Sequence, residues 1–341
     1  MQAWRPFRVT RNTEAPWLFE SFFIAAVASF LGIRWFLALT NYPKIGTNGL
    51  HIAHMLWGGL LMLVALLLLL GYLDRNIHHA AAIIAGLGFG TFIDEIGKFV
   101  TSDNDYFYRP AVALVYVAFV GAYLVARAFV GRRRPSPAEA LANALGRLAG
   151  DASGPLQPDE RGRIARLLSM ADAADPGTRL VVRYLAERPG TPERSSWLTA
   201  VPGRLARAYE RLMENAWAER AITVFVVGYA IAAVAGVGGL VAATSGGAAT
   251  VVSAPAGAAQ LGSTVVGAVL VVVGAVRLAS SRLAGYHWML RGLLVWILVT
   301  QVFVFYSSQL AGLGGLVVDL AAYGSLRFAI ARELLSDREL S

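Results

Sequence analysis

"WGGLLMLVALLLLLGYLDRNIHHAAAIIAGLGFGTFIDEIGKFV", Trp57 to Val100, joins two apolar runs through a short charged turn. Each run approaches the ~20 residues that an α-helix needs to cross the hydrocarbon core of a bilayer. The turn around Asp74 and Arg75 reverses the chain and starts the next helix. Asp94, Glu95 and Lys98 then appear about two turns before the second run ends, in a place where charge is costly. Those three residues are either a working site or a structural clamp.

The same pattern extends along the chain. Hydrophobic residues make up 56% of the 341 and charged residues 15%, with a mean hydropathy of +0.55. A soluble domain carries roughly a quarter charged residues. Runs of span length occur at 17–40, 49–73, 78–100, 110–131, 219–243, 261–282, 288–309 and 313–334, the fifth and sixth diluted by Gly and Ala. They predict an all-α polytopic integral membrane protein with about eight transmembrane helices. The expected organisation is a four-helix half over 1–131, a small helical cytoplasmic domain over 132–218 and a second four-helix half over 219–341. Arg5, Arg8 and Arg11 precede the first run, which is too long for a signal-peptide core and lacks a small-residue cleavage site. It is expected to be a retained helix.

With the spans alternating, Arg75, Arg132, Arg133, Arg134, Arg282, Arg332 and Arg338 fall on the same side as the N-terminal arginines. The opposite loops hold Lys44, Arg109 and little else. This bias places both termini in the cytoplasm. The net charge of +8 follows from it and suits anionic lipid head groups. Nucleic acid is excluded as a partner because the basic residues are scattered along membrane loops. The absence of cysteine removes disulfides, thiolate metal sites and cysteine catalysis.

In the insert, "SPAE" at Ser136–Glu139 is a capping box with Pro137 at the first helical position. Leu141, Leu145 and Leu148 give that helix one apolar face. Further amphipathic helices are expected over 158–171 and 177–188, and a long one from about Val201. The insert carries no catalytic motif; it is a docking module or a helical linker. "LVYVAFVGAYLVARAFV" (Leu114–Val130) and "LVVDLAAYGSLRFAIAREL" (Leu316–Leu334) give the two halves a faint likeness, as in a parallel duplication.

The third span runs outward, which puts Asp94 about 9 Å below Val100. Ala82, Gly86, Gly90, Asp94 and Lys98 recur every four residues, a small-residue stripe that admits a close neighbour. Glu95 lies about 100° round the helix and can still reach Lys98. His51 and His54 share a face of the second span at similar depth, and Arg34 reaches the same layer from the first. Formal charges nearly cancel: Arg34 and Lys98 against Asp94 and Glu95, with two imidazoles beside them. Asp103 and Asp105, with Tyr106 at interface depth, form a candidate outer mouth. The second half offers Gln301, Tyr306, Ser308, Gln309 and Asp319 in the outer parts of its last two spans. His78, His79 and His287 fall in cytoplasmic turns.

"FIDEIGKFVTSDNDYFY" (Phe92–Tyr108) resembles a signature of uncharacterised bacterial polytopic membrane proteins. The resemblance covers the first half, implies a bacterial inner (plasma) membrane and brings no activity. Ceramidase-like intramembrane hydrolases use three zinc-binding histidines with an Asp and a Ser. This chain departs from them, supplying only His51 and His54 near the right layer.

Three functions compete. The first is a transporter or channel-like protein with a proton- or cation-responsive site at Arg34, His51, His54, Asp94, Glu95 and Lys98. The second is an intramembrane metal-dependent enzyme acting on lipid, with His51, His54, Asp94 and Glu95 holding a divalent metal such as zinc. The third is a structural subunit of a larger membrane complex. The expected partners are membrane lipid, a small ion or lipid-like substrate, and a protein docked by the insert or a second copy of the chain. Haem lacks an attachment motif, and "GVGGL" at Gly236–Leu240 lacks the lysine of a phosphate-binding loop.

Overall fold

The computed structural model describes residues 10–40, 53–101, 108, 110–131, 134–150, 158–187, 221, 223–233, 235 and 255–339. Every regular element among the described residues is helical. Among the described residues, six stretches are long and apolar enough to cross a membrane: Ala15–Leu39, His54–Gly71, Arg75–Ile93, Ala111–Val130, Pro255–Arg277 and Arg282–Ile330. The protein is thus an all-helical, membrane-embedded one. The expected run 288–309 and most of 313–334 fall in the last stretch, and 219–243 is described only in part, as the apolar helix Thr223–Ala233.

The chain forms two compact units, residues 1–106 with 118–194, and 107–117 with 195–341. The first unit holds α1 (Ala15–Leu39), α2 (His54–Gly71), α3 (Arg75–Ile93), the short α4 (Ile96–Val100) and most of α5 (Ala111–Val130). It also contains the insert helices α6 (Pro137–Gly150), α7 (Pro158–Leu168) and α8 (Pro176–Glu187).

Glycine makes α3 the centre of this unit. A β-carbon on Gly86 would stand 2.2 Å from the Phe22 carbonyl oxygen, and one on Gly90 only 2.1 Å from that of Ala26, so α1 lies directly on this face. Gly88 and Gly58 abut in the same way: a β-carbon on either would lie 2.7 Å or less from the other's carbonyl oxygen, which seats α2. With lipid tails as apolar as the helices, close backbone approach and polar bridges must hold the contact. One such bridge is Ser29, whose hydroxyl meets the Leu87 carbonyl and the Thr91 hydroxyl at 2.9 Å each. Phe23 packs on Tyr123, and Phe30 and Phe89 pack on Phe119, bringing in the second part of α5.

The insert begins as its sequence requires. The Ser136 amide donates to Glu139, and the Glu139 amide donates back to the Ser136 hydroxyl. Asp175 accepts from the Gly177 and Thr178 amides and caps α8. Ala144, Ile164, Leu167, Leu168, Val181 and Leu185 form the core, with Leu141 and Leu148 against it. Leu145, expected on that face, is exposed. The helix expected from Val201 lies outside the described residues.

The insert is docked on the membrane helices of its own unit. Glu14, at the start of α1, pairs with Arg75 and Arg147; Glu160 of α7 pairs with the same two arginines. Arg11 binds Glu139 at 3.0 and 3.1 Å, and the Thr13 amide donates to Asn143. The Arg11 guanidinium, the first cause, and the Ser136 amide hold Glu139 down to about 2.

The second unit contains α9 (Thr223–Ala233), α10 (Pro255–Arg277), α11 (Arg282–Val295), a π-helical turn (Trp296–Thr300), α12 (Gln301–Ser308), a 3-10 turn (Gln309–Gly312) and α13 (Leu313–Glu339). Gln309 takes φ +48° and ends α12, and α13 then returns along α11. Val226, Val271, Tyr286, Met289, Leu293 and Leu326 are buried between these helices. Glycine again sets the spacing: a β-carbon on Gly292 would stand 2.5 Å from the Gly267 carbonyl oxygen.

Candidate functional site

The helix α3 ends at a turn made of Asp94 and Glu95, and α4 follows. Asp94 continues the Gly86–Gly90 stripe, so its side chain arrives where α1 passes closest. Arg34 of α1 donates to the Asp94 carboxylate, and its other arm reaches the Asp94 carbonyl at 3.1 Å. The guanidinium also lies over the Phe30 ring, 5.6 Å from its centre. Without the glycines above it, α1 would stand too far off for this two-point contact.

Glu95 turns toward α2, whose first turn has no side-chain cap of its own. The Met55 amide, one of the unpaired donors that any helix start leaves, donates to Glu95 at 3.1 Å. The acid of one helix therefore caps another, where the helix dipole also favours negative charge. Lys98 closes the pair from α4.

His54 joins the two acids. Its Nε2 is 3.0 Å from Asp94 Oδ2, and its Nδ1 is 3.6 Å from Glu95 Oε1. Asp94 and Glu95 are wholly buried, Arg34 keeps 11% of its side chain exposed, and Lys98 and His54 keep 24% and 26%. The cations and the imidazole thus form the open rim, and the acids form the floor. With His54 neutral the site carries two positive and two negative charges.

The structure brings together Arg34, His54, Asp94, Glu95 and Lys98 from the expected set. His51, Asp103, Asp105 and Tyr106 lie outside the described residues. Among the described residues no three His, Cys, Asp or Glu side chains converge as metal ligands do. His54, Asp94 and Glu95 meet there as ion-pair partners with Arg34 and Lys98. His78 lies 2.9 Å from the Tyr72 carbonyl oxygen, and His287 2.7 Å from that of Leu283.

In the second unit Gln301, Ser308 and Asp319 line one cavity of about 390 Å³, whereas Tyr306 is exposed and not part of it. Its aromatic members, Tyr229 and Trp296, were not readable as site residues in apolar runs that contain many aromatics. Compared with protein-family models, curated proteins and solved structures, the chain matches none.

Proposed function

We propose that the protein is a membrane transporter or channel-like protein whose Arg34–Asp94–His54–Glu95–Lys98 network responds to protons or small cations. One observation carries the proposal: a rim histidine bridges two fully buried carboxylates. Imidazole is the side chain that changes charge near neutral pH. Its protonation adds a positive charge between Asp94 and Glu95, where each acid already holds one cation. That competition would loosen Arg34 from Asp94 or Lys98 from Glu95, and so free α1 or α4. We place the protein in a bacterial inner membrane as about eight spans, with both termini and the insert in the cytoplasm.

The test is proton flux into liposomes containing the purified chain, driven by a potassium-diffusion potential and read with a pH-sensitive dye. The wild type should acidify the lumen, and His54→Ala should abolish the signal while eluting as a folded species. No flux from the wild type, or flux unchanged in His54→Ala, would overturn the proposal.

A second reading rests on the even charge balance of the site: the network as a clamp in a structural subunit. Intramembrane charges that pair fully can serve to fix helices alone. Paired stability and flux measurements, argued below, separate the two.

A further inference from the structure

The cavity of the second unit differs from the charged network in the first, because its charge is not balanced. Asp319 is its one formally charged lining residue among those described. The residue is 4% exposed, and its Oδ1 has no hydrogen-bond partner in the described structure. A buried carboxylate oxygen without a donor is expensive anywhere, and one in a membrane helix marks a functional site by default.

The other lining groups show what is missing. Trp296 Nε1 donates to the Thr264 carbonyl at 3.0 Å, Thr300 donates to the Ser263 hydroxyl at 2.9 Å, and Gln301 Nε2 donates to the Gly312 carbonyl at 2.9 Å. Thr264 spends its own hydroxyl on the Gln260 carbonyl. The Tyr229 hydroxyl serves the Asp319 carboxylate and still leaves Oδ1 without a donor. Trp296, Thr264, Thr300 and Gln301 thus each donate to the protein, and the charged acceptor Asp319 Oδ1 is left over beside the lone pairs of Thr300 and Gln301. Such a lining calls for a ligand that donates and carries positive charge.

Size and walls narrow the class. A water molecule takes about 30 Å³ of liquid volume, so about 390 Å³ far exceeds a bare inorganic ion. Tyr229 and Trp296, with ring centres 5.2 Å apart and nearly perpendicular, form part of the wall. Aromatic walls attract organic cations. Trp296 is also wedged in place, since a β-carbon on Gly267 would stand 2.2 Å from its Nε1. The π-helical turn ends where Thr300 and Gln301 adjoin, and such turns recur at functional sites.

We propose that this cavity binds a small primary alkylammonium, with Asp319 as its counter-ion and Trp296 and Tyr229 as its aromatic wall. The proposal concerns the second unit alone and stands whether or not the Asp94 network moves protons.

The experiment is a titration of the full chain in lipid nanodiscs with propylammonium chloride, read as a shift in thermal unfolding. Sodium chloride at equal ionic strength and neutral propanol serve as comparisons. Propylammonium should raise the midpoint saturably; sodium and propanol should not. Asp319→Asn should weaken the response at least tenfold. If that variant does not fold, Gly315→Leu provides a second route. Gly315 lines the cavity, and a β-carbon there would meet nothing within 4 Å, so leucine would fill the space and leave the acid intact. It too should abolish the response. An equal response to sodium or propanol, no saturable response in the wild type, or an unchanged response in the folded variants would overturn the proposal.

Discussion

Gly90 meets Ala26 so closely that a β-carbon on Gly90 would sit 2.1 Å from the Ala26 carbonyl oxygen. One turn further along α3, Asp94 meets Arg34. The obstacle at Gly90 is backbone, which cannot swing aside like a side-chain tip. Gly90→Val should therefore push α1 from α3 and cost about 1–3 kcal/mol, the usual range for overpacking. Gly59→Val is the control, because a β-carbon there meets nothing within 4 Å. Thermal unfolding in one detergent should separate them; equal midpoints would mean that the Gly90 seam does not hold the helices.

The Arg34–Asp94 pair should yield two different answers in one mutant cycle. Asp94 is wholly buried and Arg34 is 11% exposed, so Asp94→Asn removes the buried negative charge that a poorly hydrated guanidinium faces and leaves it the backbone carbonyl at that position. Breaking a buried pair costs about 3–5 kcal/mol. Arg34→Gln with Asp94→Asn removes both charges and should recover much of that stability. Flux should stay absent in the double variant. Recovery of both stability and flux would make the pair a plain clamp and would mean that flux does not depend on its charges.

The parts of this fold that could be read from sequence depend on neighbours along the chain. Apolar length marks the spans, Ser136 and Glu139 mark the start of α6, and a four-residue rhythm carries Gly86 and Gly90 to Asp94. The helical rhythm also puts Glu95 within reach of Lys98, three residues on. Long-range pairing was less accessible. Nothing near Glu14 or Arg75 in sequence indicates that they share Arg147 and Glu160. Arg75 counts toward the charge bias of the loops and belongs to an ion network, and only the first leaves a local trace. The Gly267–Gly292 contact leaves half a trace: Gly267 dilutes the apolar run 261–282 and is part of its packing surface, whereas Gly292 sits in a run that shows no dilution.

Sidedness can be measured directly, because the chain has no cysteine. Thr40 and Ser136 are both exposed, at opposite ends of the first unit's helices. A membrane-impermeant thiol reagent applied to intact cells should label Thr40→Cys and spare Ser136→Cys. The reverse pattern would invert the proposed topology and every depth assigned to Asp94.

The Arg11–Glu139 contact gives the insert an acid-sensitive attachment. Glu139 is lowered from its usual 4.5 to about 2, with Arg11 as the largest cause. A lowered carboxylate contributes stability that is fully present above about 4.5 and is lost as pH falls through about 2. Pepsin cuts throughout that window. Near pH 4.5 the wild type should be cleaved within 134–150 more slowly than Glu139→Gln, and near pH 2 the two should converge. A constant difference across the range would mean that the ionised contact does not tether the insert.

The deeper attachment is Glu160, which holds Arg75 of α3 and Arg147 of α6 at once and is 6% exposed on its side chain. Replacing it with glutamine leaves two guanidinium groups to share Glu14, the one acid still paired with both. Two like charges then face each other with half their compensation. Arg75 is 27% exposed, so water screens part of the repulsion. The loss should therefore fall at the lower end of the buried-pair range, about 3 kcal/mol. Its location matters more than its size. α7 should lose hydrogen-exchange protection together with α6, because Ala144 and Ile164 share one core. Amides of α1 deep in the bundle should be unaffected, held by the Gly86 and Gly90 seam. The comparison is Glu187→Gln, which removes an ion pair whose members are 77% and 73% exposed, with a separation of 3.7 Å. Exposed pairs of this kind contribute little, so exchange across α6 and α7 should not change. If Glu160→Gln is as silent as Glu187→Gln, the insert is held by its apolar contacts and the four-residue network is incidental.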